Sequence, residues 1–360
     1  MLNQGFWKGK KVFVTGHTGF KGSWLSIWLM MLGADVTGYS LDPCSELDNF
    51  VLTGLQNKMK DVRGDLRDFE KLLNTLNESK PEIVFHLAAQ PLVRLSYEIP
   101  KDTYDINIGG TVNVLEAIRR TDSVKVAVLI TTDKCYENKE WIWGYRENDP
   151  MGGYDPYSSS KGAAELVIAG YRNSFFHPEK FAVHGKAIAS ARAGNVIGGG
   201  DWAKDRIIPD CIRALQLDQP IGVRNPLATR PWQHVLEPLR GYLCLASKMW
   251  ENGAKYAGAW NFGPNDDSIV PVKEIVDQVI AFWGRGKWLD LSDPDSLHEA
   301  MLLSLDCSKA KLLMHWKPAL PIKDALKFTV EWYKNCKESN VYDLCEDQIR
   351  KYTELAGNIV

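Results

Sequence analysis

The chain has 360 residues, 45% of them hydrophobic and 24% charged, ordinary proportions for a globular protein and enough length for about two domains or one large α/β unit. Its 43 basic and 45 acidic side chains leave a formal charge of −2, with no basic excess to hold a nucleic-acid backbone or an anionic membrane. Seven scattered cysteines without a CxxC pair argue against a disulfide framework or a zinc site, and they make a reducing cytoplasm the expected compartment.

Lys10–Thr15 (KKVFVT) reads as a short buried strand, followed by a glycine-rich turn and the helical stretch Trp24–Leu32. That stretch is far shorter than the ~20 apolar residues a bilayer span needs. Lys8, Lys10 and Lys11 precede an apolar run, but Thr15-Gly16-His17-Thr18 ends it too early for a signal peptide. Further strands are expected at Ala34–Tyr39, Met59–Arg63, Glu82–Leu87, Val124–Thr131 and Gly185–Arg192. Helices are expected after Asp65-Leu66-Arg67-Asp68 to about Leu76, near Gly110–Arg120 and over Tyr157–Phe176. Strands alternating with helices of this length imply parallel βαβ units and a doubly wound, Rossmann-type α/β sheet. The alternation stops after Asn195. The remainder is irregular and rich in Pro and Trp, with helices near Ile207–Leu217, Leu239–Trp250, Val272–Phe282 and Ala325–Tyr333. The expected organisation is a dinucleotide-binding domain over residues 1–194 and a smaller substrate domain over 195–360. The 13 tryptophans fit either core packing or a stacking surface.

Gly16-His17-Thr18-Gly19-Phe20-Lys21-Gly22 lies between the first strand and the first helix. Glycines there permit a tight turn and close approach of backbone to a pyrophosphate, while the helix start offers free N–H groups. The second strand should end in an acid for the adenosine ribose, but the alignment places Ser40 there, with Asp42 two residues on. No arginine at that strand end offers to receive a 2′-phosphate, so NAD is expected over NADP. Asp65 and Leu66 follow the third strand, where the adenine should lie; Asp65 also fits a helix N-cap. Tyr157 and Lys161 share one helix face, and a nearby ammonium would lower the phenol pKa and make a usable base. Tyr97…Lys101 and Tyr333…Lys337 have the same spacing. The first contains Pro100, which opposes a helix, and the second lies in a charged C-terminal segment. Thr131-Thr132-Asp133-Lys134-Cys135 follows the fifth strand, where open α/β sheets bind ligands.

With His86-Leu87-Ala88-Ala89 after the fourth strand and Asn107 before Gly110-Thr-Val-Asn-Val-Leu, these motifs resemble the extended short-chain dehydrogenase/reductase family. Phe6-Trp-Lys-Gly-Lys-Lys, Thr132-Asp-Lys, Arg230-Pro-Trp-Gln-His-Val and Trp260-Asn-Phe-Gly-Pro narrow the resemblance to its sugar-nucleotide 4,6-dehydratases acting on CDP-glucose. The resemblance implies NAD+ as the acceptor of a hydride from glucose C4, elimination of water across C5–C6, and hydride return to C6. It adds Leu87, Ala88, Ala89 and Asn107 to the cofactor site. It makes Tyr157 the base for the 4-hydroxyl, Thr132 a hydrogen-bond partner of the C4 oxygen, Lys161 the holder of the nicotinamide ribose, and Asp133 the acid at C6. Related dehydratases carry Asp-Glu after this Thr, with Glu as the C5 base; here Lys134 stands in that place, as base, as enolate-stabilising cation or as an orienting salt bridge to Asp133. Asn195, in Arg192-Ala-Gly-Asn-Val-Ile-Gly, and Arg230 are expected at the substrate diphosphate, with Arg94 and Arg206 as further substrate contacts and Trp202, Trp232 and His298 as weaker ones. A homodimer or dimer of dimers, paired through Gly110–Arg120 and Tyr157–Phe176, is expected. The product would feed deoxysugars of surface polysaccharides. A 4-epimerase on the same fold needs no acid at C6, and a non-catalytic dinucleotide-binding regulator needs none of Thr132, Tyr157 and Lys161.

Overall fold

The computed structural model describes residues 4–293 and 302–357. Seven parallel strands form one sheet: β1 Lys11–Thr15, β2 Asp35–Ser40, β3 Lys60–Arg63, β4 Ile83–His86, β5 Val126–Ile130, β6 Ala187–Arg192 and β7 Gly258–Asn261. Their order across the sheet is 7-6-5-4-1-2-3. The winding reverses between β1 and β4, and in such sheets that crevice, at the carboxyl ends of the strands, is where a ligand sits.

The inner strands β1, β4, β5 and β6 are buried on both faces, which is why they read as apolar runs instead of alternating ones. Val12, Val14, Ile83, Phe85, Val126 and Val128 enter one core, while Phe13, Val84, Ala127 and Leu129 enter the other. α1 (Phe20–Met31) covers the first face with Trp24, Leu25 and Trp28. α2 (Phe69–Ser79), α3 (Gly110–Arg120) and α4 (Pro156–Phe175) cover the second with Leu72, Leu76, Leu115, Ile118 and Ile168. The second half adds α5 (Ile207–Gln216), α6 (Leu236–Glu251), α7 (Val272–Trp283), α8 (Ile322–Asn335) and α9 (Val341–Gly357). Leu239 and Tyr242 of α6 and Trp332 of α8 join the same core as β1 and β4.

One feature departs from the sequence expectation and a second agrees with it. β7 comes from beyond residue 195 and pairs with β6, Trp260 opposite Ala191, so the parallel sheet takes a strand from the irregular half. Pro100 ends the helix Val93–Glu98 and opens a new one, Pro100–Tyr104, which separates Tyr97 from Lys101. Six of the 13 tryptophans answer plainly to packing: Trp7, Trp24, Trp28, Trp260, Trp316 and Trp332 are all fully buried.

Candidate active site

β1 leads into Gly16, whose φ of +76° favours glycine. A Cβ there would lie 2.7 Å from the Ala88 nitrogen, and one at Gly22 would lie 2.0 Å from the Gly16 carbonyl oxygen. Gly19 caps α1 with no side-chain hydrogen bond, so the first-turn N–H groups open into the crevice. This glycine cradle at an uncapped helix start fits a dinucleotide pyrophosphate.

Around the adenosine position several expected residues are already engaged with protein. The Thr18 hydroxyl lies 2.8 Å from that of Ser40 and donates to the Leu41 carbonyl at 3.1 Å. Asp42 is exposed, 3.8 Å from the Arg63 guanidinium. Arg63 corrects the expectation that no arginine stands at this strand end: it sits opposite Ser40 in the β2–β3 register. Its charge is committed, to Asp61 at 2.8 Å and to the Leu41 carbonyl at 3.2 Å. His17 turns away from the crevice, its Nε2 2.8 Å from Asp61, and burial lowers its pKa. Asp65 holds Arg67 through both carboxylate oxygens, which keeps the carboxyl below its usual range. Leu66 is buried, and its carbonyl accepts from Asn113. The amide of Asn107 pairs with both backbone groups of Gln90 and donates to Ser160 at 2.9 Å, so it ties the loop after β4 to α4 instead of reaching the crevice. Leu87 and Ala88 line that loop, Ala88 N–H donating to Thr15 Oγ1 at 3.2 Å; Ala89 follows.

α4 starts cleanly because Asp155 accepts from the Ser158 N–H and Pro156 occupies the first position. Tyr157 and Lys161 therefore stand one turn apart, facing the end of β5. Burial pushes the Tyr157 phenol up to about 12; the Thr132 hydroxyl and the Arg206 charge oppose that rise. This differs from the expectation that Lys161 lowers it. The Lys161 ammonium points to the Ile130 carbonyl at 3.5 Å, and burial brings it down to about 8. Behind it, Glu165 of α4 grips Arg192 of β6 at 2.8 and 2.9 Å, both side chains about 4% exposed, with Ser190 on the same carboxylate. This pair, invisible as a motif, locks α4 against the sheet.

Thr132 caps the short turn Asp133–Cys135. Its hydroxyl donates to Asp133 Oδ1 at 2.9 Å and accepts from the Lys134 N–H at 3.3 Å. Asp133 is 1% exposed, and its other oxygen accepts from Asn195 at 3.2 Å. Asn195 adopts φ +47°, a left-handed geometry that asparagine tolerates. Gly194 presses on the carboxylate so closely that a Cβ there would lie 1.7 Å from Asp133 Oδ2. Lys134 is partly buried and forms no ion pair with Asp133 among the described residues, so the orienting salt bridge is absent. Lys21, on the first turn of α1, instead feels Asp133, Arg206, Lys161 and Asp201; burial is the main cause that lowers it to about 8. Cys135 is fully buried and its thiol is pushed well up, as a packing residue.

Of the expected substrate contacts, Arg206 lies beside Tyr157 and pairs with Asp201 at 2.8 Å. Arg94 stands 3.9 Å from Asp205, which also holds Arg224. Arg230 is 9% exposed on the short strand Thr229–Pro231. Trp232 is not presented to a ligand: it packs in the core, 6% exposed, and its indole N–H is taken by the Val270 carbonyl. Trp202 packs edge-on against Tyr333. His298 lies outside the described residues.

The model of the GDP-mannose 4,6-dehydratase family matches residues 13–255. The chain is 54% identical over 335 residues to CDP-glucose 4,6-dehydratase of Salmonella typhimurium, covering 93% of each chain. It is 27% identical to dTDP-D-glucose 4,6-dehydratase of Bos taurus, over 90% of this chain and 89% of that one. Among solved structures, dTDP-glucose 4,6-dehydratase from Bacillus anthracis in complex with NAD superposes with a TM-score of 0.74 at 22% identity, over 92% of this chain and 98% of that one. UDP-glucose 4-epimerase from Thermotoga maritima does so at 0.76 and 20% identity, over 91% and 99%.

Proposed function

The chain belongs to the GDP-mannose 4,6-dehydratase family, and from that premise we propose that it is a hydro-lyase converting CDP-glucose to CDP-4-keto-6-deoxyglucose with bound NAD+. The observation that carries the reading is Asp133. Buried, hydrogen-bonded by Thr132 and Asn195, and beside Tyr157, it is a preorganised acid where an epimerase needs none. Bound NAD+ supplies an acceptor for the C4 hydride and its return at C6.

The chain's own residues handle protons and charge. Tyr157 receives the proton of the 4-hydroxyl. Lys161 holds the nicotinamide ribose, with Gly16 to Gly22 around the pyrophosphate and Ser40, Asp65 and Leu66 near the adenosine. Asp133 protonates the departing C6 hydroxyl. Lys134, next in the turn, serves the C5 carbon as base or as the cation that stabilises the enolate. Lys21, brought to about 8 by burial, is a second amine close to Asp133. Asn195, Arg94, Arg206 and Arg230 take the sugar and its diphosphate, for which guanidinium forks are suited.

The first 194 residues thus carry the cofactor and residues 195–360 the sugar nucleotide, over a shared core. A second copy docks on α3 and α4, where Leu166 and Phe175 are 64% and 50% exposed. Among the described residues no helix is long and apolar enough to cross a membrane; the compartment proposed for the enzyme, from its reduced cysteines, is the cytoplasm.

The test is incubation with CDP-glucose deuterated at C4, followed by mass analysis. Loss of water with the deuterium retained at C6 is expected. An unchanged mass, or deuterium lost to added unlabelled NADH, refutes the reading.

A further inference from the structure

We infer that Gln233 is a positioning residue for the acid: it holds the Gly194–Asn195 turn against Asp133, and so governs the elimination of water while leaving the preceding oxidation alone. The inference rests on the dehydratase reading and deepens it, tracing the aim of the carboxylate to a side chain that makes no bond to it.

Two contacts bear on one oxygen of Asp133. Asn195 donates to Oδ2 at 3.2 Å, and Gly194 lies so close that a Cβ there would meet the same atom. Gly194 has no side chain to anchor itself with, and that of Asn195 is spent on the carboxylate. The turn must therefore be held by its backbone. Asn195, at φ +47°, occupies a region that a non-glycine residue keeps only where its surroundings over-determine it. Both carbonyls of the turn accept from one residue. The Gln233 backbone N–H donates to the Asn195 carbonyl at 3.2 Å, and its Nε2 donates to the Gly194 carbonyl at 3.2 Å. The other Nε2 hydrogen goes to the Phe262 carbonyl at 2.9 Å, just beyond β7.

The orientation of the amide is fixed, because both of its partners are carbonyls and only the NH2 end can donate. Its own oxygen is buried and finds no protein partner among the described residues, a cost that an apolar side chain in the same place would avoid. What the glutamine adds is its pair of N–H groups, one for the end of β7 and one for the turn beneath Asp133. The backbone delivers it there. Gln233–His234 pairs in parallel with Val196–Ile197, and the register sets Gln233 opposite Val196, the residue after the turn.

The experiment uses the NAD-loaded enzyme and CDP-glucose in single turnover. Nicotinamide absorbance is followed by stopped flow, and water loss by mass analysis of quenched samples. Gln233→Leu keeps most of the bulk and removes both side-chain donors. It should reduce nicotinamide at the wild-type rate and lose water ~10²-fold more slowly, the effect of misplacing a reacting group by about 1 Å, so that reduced nicotinamide persists. Gln233→Glu keeps the shape, but its carboxyl can donate one hydrogen bond when neutral and none when ionised. Its water loss should therefore fall relative to wild type as pH rises through that ionisation, while its oxidation follows the wild-type pH profile. A glutamine that only stapled β7 to β6 would lower Tm on substitution and leave the ratio of the two rates unchanged. Water loss at the wild-type rate in folded Gln233→Leu, or oxidation slowed by the same factor as water loss, overturns the inference and leaves the dehydratase reading standing. If Gln233→Leu does not fold, a pH profile for water loss in Gln233→Glu that parallels wild type overturns it. Wild type that neither reduces nicotinamide nor changes CDP-glucose overturns both.

Discussion

Gly194→Ala places a single methyl group against the proposed acid. The new Cβ would stand 1.7 Å from Asp133 Oδ2 and 1.9 Å from its Cγ. Ordinary contact is about 3.5 Å, so the carboxylate must retreat by roughly 1.5–2 Å. That movement breaks the hydrogen bonds from Thr132 and Asn195 that aim it. Misplacement of a reacting group by about 1 Å can cost ~10²-fold, and loss of a general acid ~10²–10⁴-fold, so water loss should slow by roughly that range. The cofactor cradle at Gly16 to Gly22 is untouched. Single-turnover absorbance on mixing with CDP-glucose should therefore show reduced nicotinamide rising and persisting, where wild type shows only a transient. Thermal unfolding should reveal an overpacking cost of about 1–3 kcal/mol, too small to unfold the enzyme. Turnover at the wild-type rate in a folded Gly194→Ala enzyme would show that Asp133 does not need this position, and the acid would have to be sought elsewhere.

Tyr157→Phe should lose ~10²–10⁴-fold in turnover. Tyr97→Phe and Tyr333→Phe should stay active, because Tyr97 is cut off from Lys101 by a helix break and the Tyr333 hydroxyl is spent on the Asp201 carbonyl; equal damage at Tyr97 would refute the choice of pair. Lys134→Met and Lys21→Met separate the two amines near C5: the variant that still reduces nicotinamide but no longer exchanges the C5 proton with heavy water marks the base, and exchange kept by both sinks a lysine base. If Lys21 is that base, its neutral form grows as pH rises through about 8, so the elimination step should accelerate there and lose that dependence in Lys21→Met. Glu165→Ala should destabilise the fold by about 3–5 kcal/mol by leaving Arg192 buried and unpaired. Burial alone would raise the Glu165 carboxyl, but Arg192, Thr131 and Ser190 hold it low. Its contribution is thus full above the unfolded pKa of ~4.3 and lost as pH falls through the folded value, so the difference in Tm between wild type and variant should narrow in acid; a gap independent of pH contradicts the pairing.

The six strands of the first half, α1 and α4 were legible because each is a local pattern: a short apolar run, a glycine turn, a capped helix. The same locality explains what was missed. Arg63 is far from Ser40 along the chain and adjacent only through strand register. His17 finds Asp61 in the same way. β7 is four residues, Gly-Ala-Trp-Asn, with no β-branched side chain to announce it, and its strand character comes from pairing with β6. The Thr132-Asp133 pair and the Tyr157…Lys161 spacing were readable, but the direction of the Tyr157 shift was not, since burial outweighs any neighbouring charge and burial is a property of the assembled site. Glu165 had a usable signal: it follows Lys161 by one helical turn on the same face.

The late arrival of β7 bears on how the protein is made. On the ribosome, the first six strands are complete at Arg192, yet β6 keeps an unpaired edge until Asn261 has emerged. Roughly 70 residues separate the two, so at ~5–20 residues per second the edge stays open for roughly 4–14 s. During that interval the nascent chain carries the whole glycine cradle and Tyr157, together with an unpaired strand edge that can template pairing with a neighbouring nascent chain on the same message. A gene fragment cut near residue 195 makes that interval permanent, and it should enter inclusion bodies despite containing every motif of the dinucleotide fold.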